Sequence, residues 1–166
     1  MSPDFDKNRS IRADRLFFNA DGTIRKVVPT LRGVGLVGAK SRIQLDRYSA
    51  TSGEGVAVAF LNAADLHAGW KISLVGKSVW TRFNDVDFGQ GGLKRVNLRA
   101  VSAKGGAIEI HLDQVDGPLL GRIKIKKGPE WQVFGAKAQD FPTGVHDLVI
   151  TSTRSDPVDL DWITFE

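Results

Sequence analysis

The side chains that could perform catalysis in this chain do not form a recognisable catalytic set. Glu109 and Asp113 stand four positions apart in an alternating stretch, which on an extended strand separates them by roughly 13 Å. A hydrolytic carboxylate pair needs about 5–9.5 Å across a cleft. His67, His111 and His146 lack the spacing of metal ligands, and the chain has no Cys. The sequence therefore favours a binding surface over an active centre.

The four tryptophans are the side chains best suited to offer a flat apolar face to a ligand. Trp131 follows the turn at 128–130, which predicts an exposed position at a loop edge. Trp70 precedes a strand-like stretch, and its role is open between ligand stacking and core packing. Trp80 and Trp162 lie inside alternating strand patterns, and we interpret both as core residues.

Composition and charge exclude several classes of protein. Residues 1–35 hold seven Lys or Arg against four Asp, a charge of +3, and the other 131 residues hold sixteen against fifteen, or +1. Nucleic-acid binding usually needs a concentrated basic face, which this distribution lacks. No apolar run is long enough to span a membrane. Because the polar start MSPDFDKNRS has no apolar stretch of a signal peptide, we expect the chain to be part of a longer protein.

Period-two alternation of apolar and polar residues predicts an all-β domain. It is clear at 96–100, 108–112 and 158–162, and Gly- or Pro-containing turns separate such stretches by about 8–12 residues. This pattern is typical of an antiparallel β-sandwich or jelly roll. Residues 14–28 read as a β-hairpin that turns at Asp21–Gly22, and the only short helix candidate is 61–69.

Residues 43–166 resemble carbohydrate-binding module family 6 in a series of short blocks that occur in the family's order. The blocks are IQLDRY at 43–48, WTRF at 80–83, VDFG at 86–89, GAIEIHL at 106–112, WQ at 131–132, VHDL at 145–148 and LDW at 160–162. The resemblance implies a galactose-binding-like jelly roll whose sugar site lies in loops at one edge of the sandwich.

The same resemblance implies a sugar site made of two stacking aromatics and a polar anchor. It assigns the stacking positions to Trp131 and Trp70, and the anchor to Asp159, where the family usually has Asn. Sugar rings stack on aromatic faces through their C–H groups, and a few hydrogen bonds fix their orientation. An ionised Asp accepts hydrogen bonds but donates none, so this replacement changes what the anchor can bind. The alternative for Asp159 is an ordinary exposed strand carboxylate.

A structural Ca²⁺ is also implied by the resemblance. Its side-chain ligands would be Gln44, Asp46 and Asp161, where Gln and a shorter Asp replace two Glu of the family pattern. Calcium prefers clustered oxygen ligands, which these three residues can provide. The alternative is a set of polar residues at strand edges without metal.

The predicted organisation is a short tail followed by one module. Residues 1–35 resemble the C-terminal end of a glycoside hydrolase family 43 catalytic domain, and residues 36–166 form the carbohydrate-binding sandwich. The expected function is non-catalytic: the module would hold an attached glycoside hydrolase on plant-wall xylan, arabinoxylan or β-glucan, outside the cell or in the periplasm. Two alternatives stay open, namely a structural module that packs on a catalytic domain without binding sugar and a fragment of a family 43 glycosidase.

Overall fold

The computed structural model describes residues 13–137 and 142–166, so the first twelve residues of the predicted tail lie outside the described residues. Twelve β-strands and no helix occur in these two ranges. In chain order, β1 to β12 are Val37–Gly38, Ile43–Gln44, Ala50–Thr51, Val56–Phe60, Trp70–Leu74, Trp80–Asp87, Arg95–Ser102, Gly106–Leu112, Leu119–Ile125, Gly128–Lys137, Val145–Ser152 and Val158–Phe165.

The strands form two six-stranded sheets, which confirms the predicted β-sandwich. The first sheet has the order β1-β6-β11-β8-β9, with β3 also pairing β6, and the second has the order β10-β7-β12-β5-β4, with β2 also pairing β12. Only β1 and β6 pair in parallel among the described strands. The alternating residues predicted to face inward, such as Leu98, Ile110 and Leu160, are fully buried between the sheets. Their burial supplies the main driving force for folding.

Two β-bulges interrupt the second sheet on either side of β7. The register between β10 and β7 shifts between Gly128 and Gln132, and the register between β12 and β7 shifts between Leu160 and Ile163. A bulge places two residues opposite one and redirects side chains. Both irregular segments lie beside the middle of β7. Ala100 pairs with Gln132 on one side and with Leu160 on the other, and Arg99 is the residue before Ala100.

The segment before the sandwich contains the predicted hairpin in reduced form. Phe18 and Ile24 form an isolated antiparallel bridge, and the Asn19 amide donates to the Thr23 carbonyl at 2.8 Å. Arg15 forms an ion pair with Asp85 of the first sheet at 2.6 Å.

Two other predicted elements differ from the structure. The predicted opening strand at 43–48 is limited to β2. Residues 61–69 form turns instead of a helix, and the Asn62 and Asp65 side chains accept hydrogen bonds from backbone amides. No helix among the described residues is long and apolar enough to cross a membrane.

Candidate functional site

Trp131, Lys71 and Asp159 line one groove of about 440 Å³ on the outer face of the second sheet. Its remaining lining residues are Val101, Ser102, Ala103, Lys104, Gly128, Pro129 and Pro157. We call this depression the Trp131 groove. It combines an aromatic ring, apolar walls and a few polar groups, which is the usual composition of a small-ligand site.

Trp131 lies in the irregular segment at the start of β10, between Gly128 and Gln132. The ring is half-buried inside the strand, whereas the sequence predicted a loop edge. The guanidinium carbon of Arg99 lies 5.1 Å from the centre of the indole, a cation–π distance. Arg99 therefore supports one face of the ring, and the part of the ring that lines the groove is available to a ligand.

Asp159 is held by two neighbours from β5. Its residue position pairs directly with Ser73 across the sheet, and Ser73 Oγ donates to Asp159 Oδ1 at 2.5 Å. The other carboxylate oxygen, Oδ2, forms an ion pair with Lys71 Nζ. Both oxygens of the predicted anchor are thus already engaged by the protein. The Lys71 ammonium has three donors and gives one of them to Asp159.

Trp70 is separated from the Trp131 groove. It lies on β5, and strands β7 and β12 separate β5 from β10, the strand of Trp131. Trp70 shares one face of β5 with Ile72 and Leu74, which are fully buried. Its ring stacks on Phe60, the residue directly opposite on β4, with 4.1 Å between ring centres. Trp70 is 44% exposed and lines a cavity of about 760 Å³ beside residues 30–34. The structure therefore places Asp159, but not Trp70, beside Trp131.

The other two tryptophans are half-buried, so their interpretation as core residues was wrong. Trp80 alternates with the buried Thr81 and Phe83 and therefore points away from the core. Trp162 lies in the bulged segment of β12, and the Arg42 guanidinium carbon covers its ring at 4.9 Å. Alternation predicts a strand correctly but does not state which of its two faces meets the core.

Gln44, Asp46 and Asp161, the predicted calcium ligands, line a single cavity of about 320 Å³. Strands β2 and β12 are paired, which brings the three positions together. Asp161 is buried, and its carboxylate forms an ion pair with Arg99. Burial raises the pKa of the Asp46 carboxyl, and the negative charge of Asp161 adds to that rise.

The three residues have the oxygen ligands that a hard cation needs, but one of them already forms an ion pair with Arg99. Two carboxylates and an amide provide oxygen ligands, and Asp46 forms no ion pair with any described residue. Arg99, however, already neutralises Asp161. Within residues 13–137 and 142–166, no group of three or more His, Cys, Asp or Glu side chains is placed to hold a metal ion.

Lys71, Ser73 and Arg99 are site residues that the sequence reasoning missed. A signal for the first two was present, because Ile72 and Leu74 are apolar and Lys71 and Ser73 must then share the opposite, outward face. The pairing of β5 with β12, which places that face next to Asp159, was not readable from the sequence.

Comparison with known proteins gives consistent matches. The model of the family "Carbohydrate binding module (family 6)" matches residues 43–166. An arabinoxylan arabinofuranohydrolase from Paenibacillus polymyxa is 24% identical over 160 residues, covering 89% of this chain and 24% of that protein. The chain spans about a quarter of the length of the curated relatives it matches.

Two solved structures are similar to the chain in both fold and sequence. The module CsCBM6-3 from Clostridium stercorarium, in complex with cellobiose, is 26% identical with a TM-score of 0.70, covering 80% of this chain and 97% of that one. A family 6 carbohydrate-binding module from Clostridium cellulolyticum, in complex with xylose, is 29% identical with a TM-score of 0.69, covering 78% of this chain and 99% of that one.

Proposed function

The chain belongs to carbohydrate-binding module family 6, a family of non-catalytic binding modules, and from that premise we propose that its Trp131 groove binds a plant-wall polysaccharide. Xylan, arabinoxylan and β-glucan are the candidate ligands. The observation that carries the proposal is the groove itself, in which the Trp131 ring lies beside the polar pair Lys71 and Asp159. A sugar ring would stack on the indole while the polar pair fixes its hydroxyl groups.

We propose that the module keeps an attached glycoside hydrolase near its substrate, outside the cell or in the periplasm. Such tethering raises the effective concentration of substrate without any new catalytic contact. Two observations support it. The chain matches only a part of longer arabinofuranohydrolases, and the hairpin before the sandwich exposes Phe17, Phe18, Ile24 and Val28 to solvent. Exposed apolar clusters of this kind often contact another domain.

We also propose a structural Ca²⁺ in the cavity of Gln44, Asp46 and Asp161. The raised pKa of Asp46 and its lack of an ion pair in the described structure support the proposal, because a cation would stabilise that carboxylate. When bound, the ion would cross-link the segment after β2 to β12. The site would then require Asp161 to interact with both the ion and Arg99.

Two observations favour a second function. Both oxygens of Asp159 are engaged, and Trp70 is too far round the sheet to share the Trp131 groove. A module that packs on a catalytic domain without binding sugar would tolerate both features. This alternative predicts no affinity for any glycan.

Isothermal titration of the purified chain with soluble arabinoxylan, xylan and mixed-linkage β-glucan separates the two functions. We expect saturable binding to at least one of them, loss of that binding in Trp131→Ala, and retention of it in Val133→Ala. Val133 is a matched control, because it lies two residues along the same strand and is 55% exposed. The alternative function would be favoured if no polysaccharide binds, and release of reducing sugar from any of them would contradict a non-catalytic role.

A further inference from the structure

We propose that the Trp131 groove prefers glycans that carry a carboxylate, namely polysaccharides with uronic acid residues, and that Lys71 is the residue that recognises this group. The inference rests on the proposed sugar binding and extends it to a class of ligand. The groove carries charged side chains that a neutral sugar would not need.

The lining of the groove holds two lysines and one aspartate, a formal charge of +1. Lys71 is held in place, since its side chain is only 23% exposed and its ammonium contacts Asp159. Lys104 is 72% exposed and forms a looser ion pair with Asp156 at 3.3 Å. An anionic ligand group entering the groove would therefore meet one largely buried cation and one exposed cation.

The Lys71 ammonium brings hydrogen-bond donors into the groove. Asp159 accepts from Ser73 and Lys71 with its two oxygens, so about half of the acceptor positions of its carboxylate are occupied. Lys71 keeps two N–H donors beyond the one given to Asp159. A carboxylate is the sugar substituent that uses such donors best, because charge-assisted hydrogen bonds are shorter and stronger than those to hydroxyl groups.

Trp131 and Lys71 complement the two parts of a uronic acid. The sugar ring of a hexuronic acid has the same C–H face as a neutral hexose and would stack on the indole. Its carboxylate would then bind the Lys71 ammonium. In this arrangement Asp159 is a positioning residue, because it orients Lys71 and is itself fixed by Ser73 at 2.5 Å.

The test compares ligands that differ only in charge. Affinities of the purified chain are measured by isothermal titration for β-1,4-linked glucuronic acid trisaccharide against cellotriose, and for xylotriose with a glucuronic acid branch against xylotriose with a glucose branch. We expect the acidic member of at least one pair to bind roughly tenfold more tightly at low salt. The preference should shrink at 0.5 M NaCl, where charge interactions are screened.

Three variants assign the preference to Lys71. Lys71→Met should reduce it to less than about threefold, whereas Lys71→Arg, which keeps the charge, should retain most of it. Lys124→Met removes an equal charge from an exposed position on β9 of the other sheet and should leave the preference unchanged. Circular dichroism and melting curves establish that each variant is folded.

The outcomes separate this inference from the function on which it rests. Equal affinity for charged and neutral ligands would overturn the carboxylate preference, and a preference that survives Lys71→Met would overturn its assignment to Lys71. Either result would leave sugar binding standing. Absence of binding to every ligand tested would overturn both. Tighter binding of the neutral members would show that the Lys71–Asp159 pair acts as a neutral anchor.

Discussion

Trp131 and Trp70 belong to the same sheet but are used in different ways. Trp131 projects outward from β10, rests on Arg99 and lines the groove with Lys71 and Asp159. Trp70 follows the inward alternation of β5, stacks on Phe60 and faces the segment before the sandwich. The difference shows that the face of the strand on which each tryptophan lies decides which cavity its ring lines.

Arg99 joins the two sides of this comparison. Its guanidinium lies over Trp131 and also forms the ion pair with the buried Asp161, which lines the cavity next to Trp70. The groove and the candidate cation cavity are therefore linked by one side chain. A substitution of Arg99 should therefore affect both the groove and the cation cavity, whereas a substitution of Trp131 or Trp70 should affect only one of them.

The largest expected effect is the loss of stability in Arg99→Met. Removing the guanidinium leaves the Asp161 carboxylate buried and unpaired, and breaking a buried ion pair in this way costs about 3–5 kcal/mol. Because the Arg99 side chain is 30% exposed, we expect the lower end of that range. Urea unfolding followed by tryptophan fluorescence measures the change.

Lys104→Met is the matched control for Arg99→Met. It removes the same charge from an exposed ion pair with Asp156, for which about 0–1 kcal/mol is expected. Similar losses in the two variants would mean that the Arg99–Asp161 ion pair stabilises the fold no more than an exposed ion pair does.

The next effect separates the two tryptophans by affinity. Trp131→Ala should weaken binding to the preferred polysaccharide by about 2 kcal/mol or more, a level typical of central aromatic contacts and equal to roughly 30-fold. Trp70→Ala should change the same affinity by less than about threefold, because Trp70 lies outside the groove. Titration of both variants against one ligand provides the comparison. If Trp70→Ala lowers the affinity as much as Trp131→Ala does, the sugar contacts both rings and the binding site extends beyond the Trp131 groove.

Much of the fold was predictable from the sequence, and the candidate site only in part. Period-two alternation identified β7, β8 and β12 and with them the two-sheet core. The pairing of Gln44 with Trp162 agrees with the predicted neighbourhood of the first and last strands. The partner of Asp159 was not predictable, because it depends on strand order and on two bulges, and neither leaves a mark in local sequence patterns.

A smaller effect concerns the packing of Trp70. If its ring is fixed mainly by Phe60, a double-mutant cycle of Phe60→Ala and Trp70→Ala should give a coupling energy of about 0.5–1.5 kcal/mol. The cycle is read from chemical unfolding of the four proteins. Additive losses would indicate that the two rings are held independently, leaving Trp70 free to adopt another orientation.

The smallest effect is expected at Asp46 and depends on pH and calcium. Burial raises the folded-state pKa of Asp46 above its unfolded value, so this group stabilises the fold at low pH and the contribution is lost as pH rises through the folded pKa. In EDTA at pH 7, Asp46→Asn should therefore melt at a slightly higher temperature than the parent, and the difference should vanish near pH 3. Glu109→Gln is the opposing control, because the hydrogen bond from Arg122 lowers the pKa of Glu109 and its stabilisation is lost as pH falls.

Added Ca²⁺ should raise the melting temperature of the parent by mass action and that of Asp46→Asn much less. A parent protein whose melting temperature does not change in millimolar Ca²⁺ would contradict the calcium proposal and leave Arg99 as the cation that balances Asp161 among the described residues.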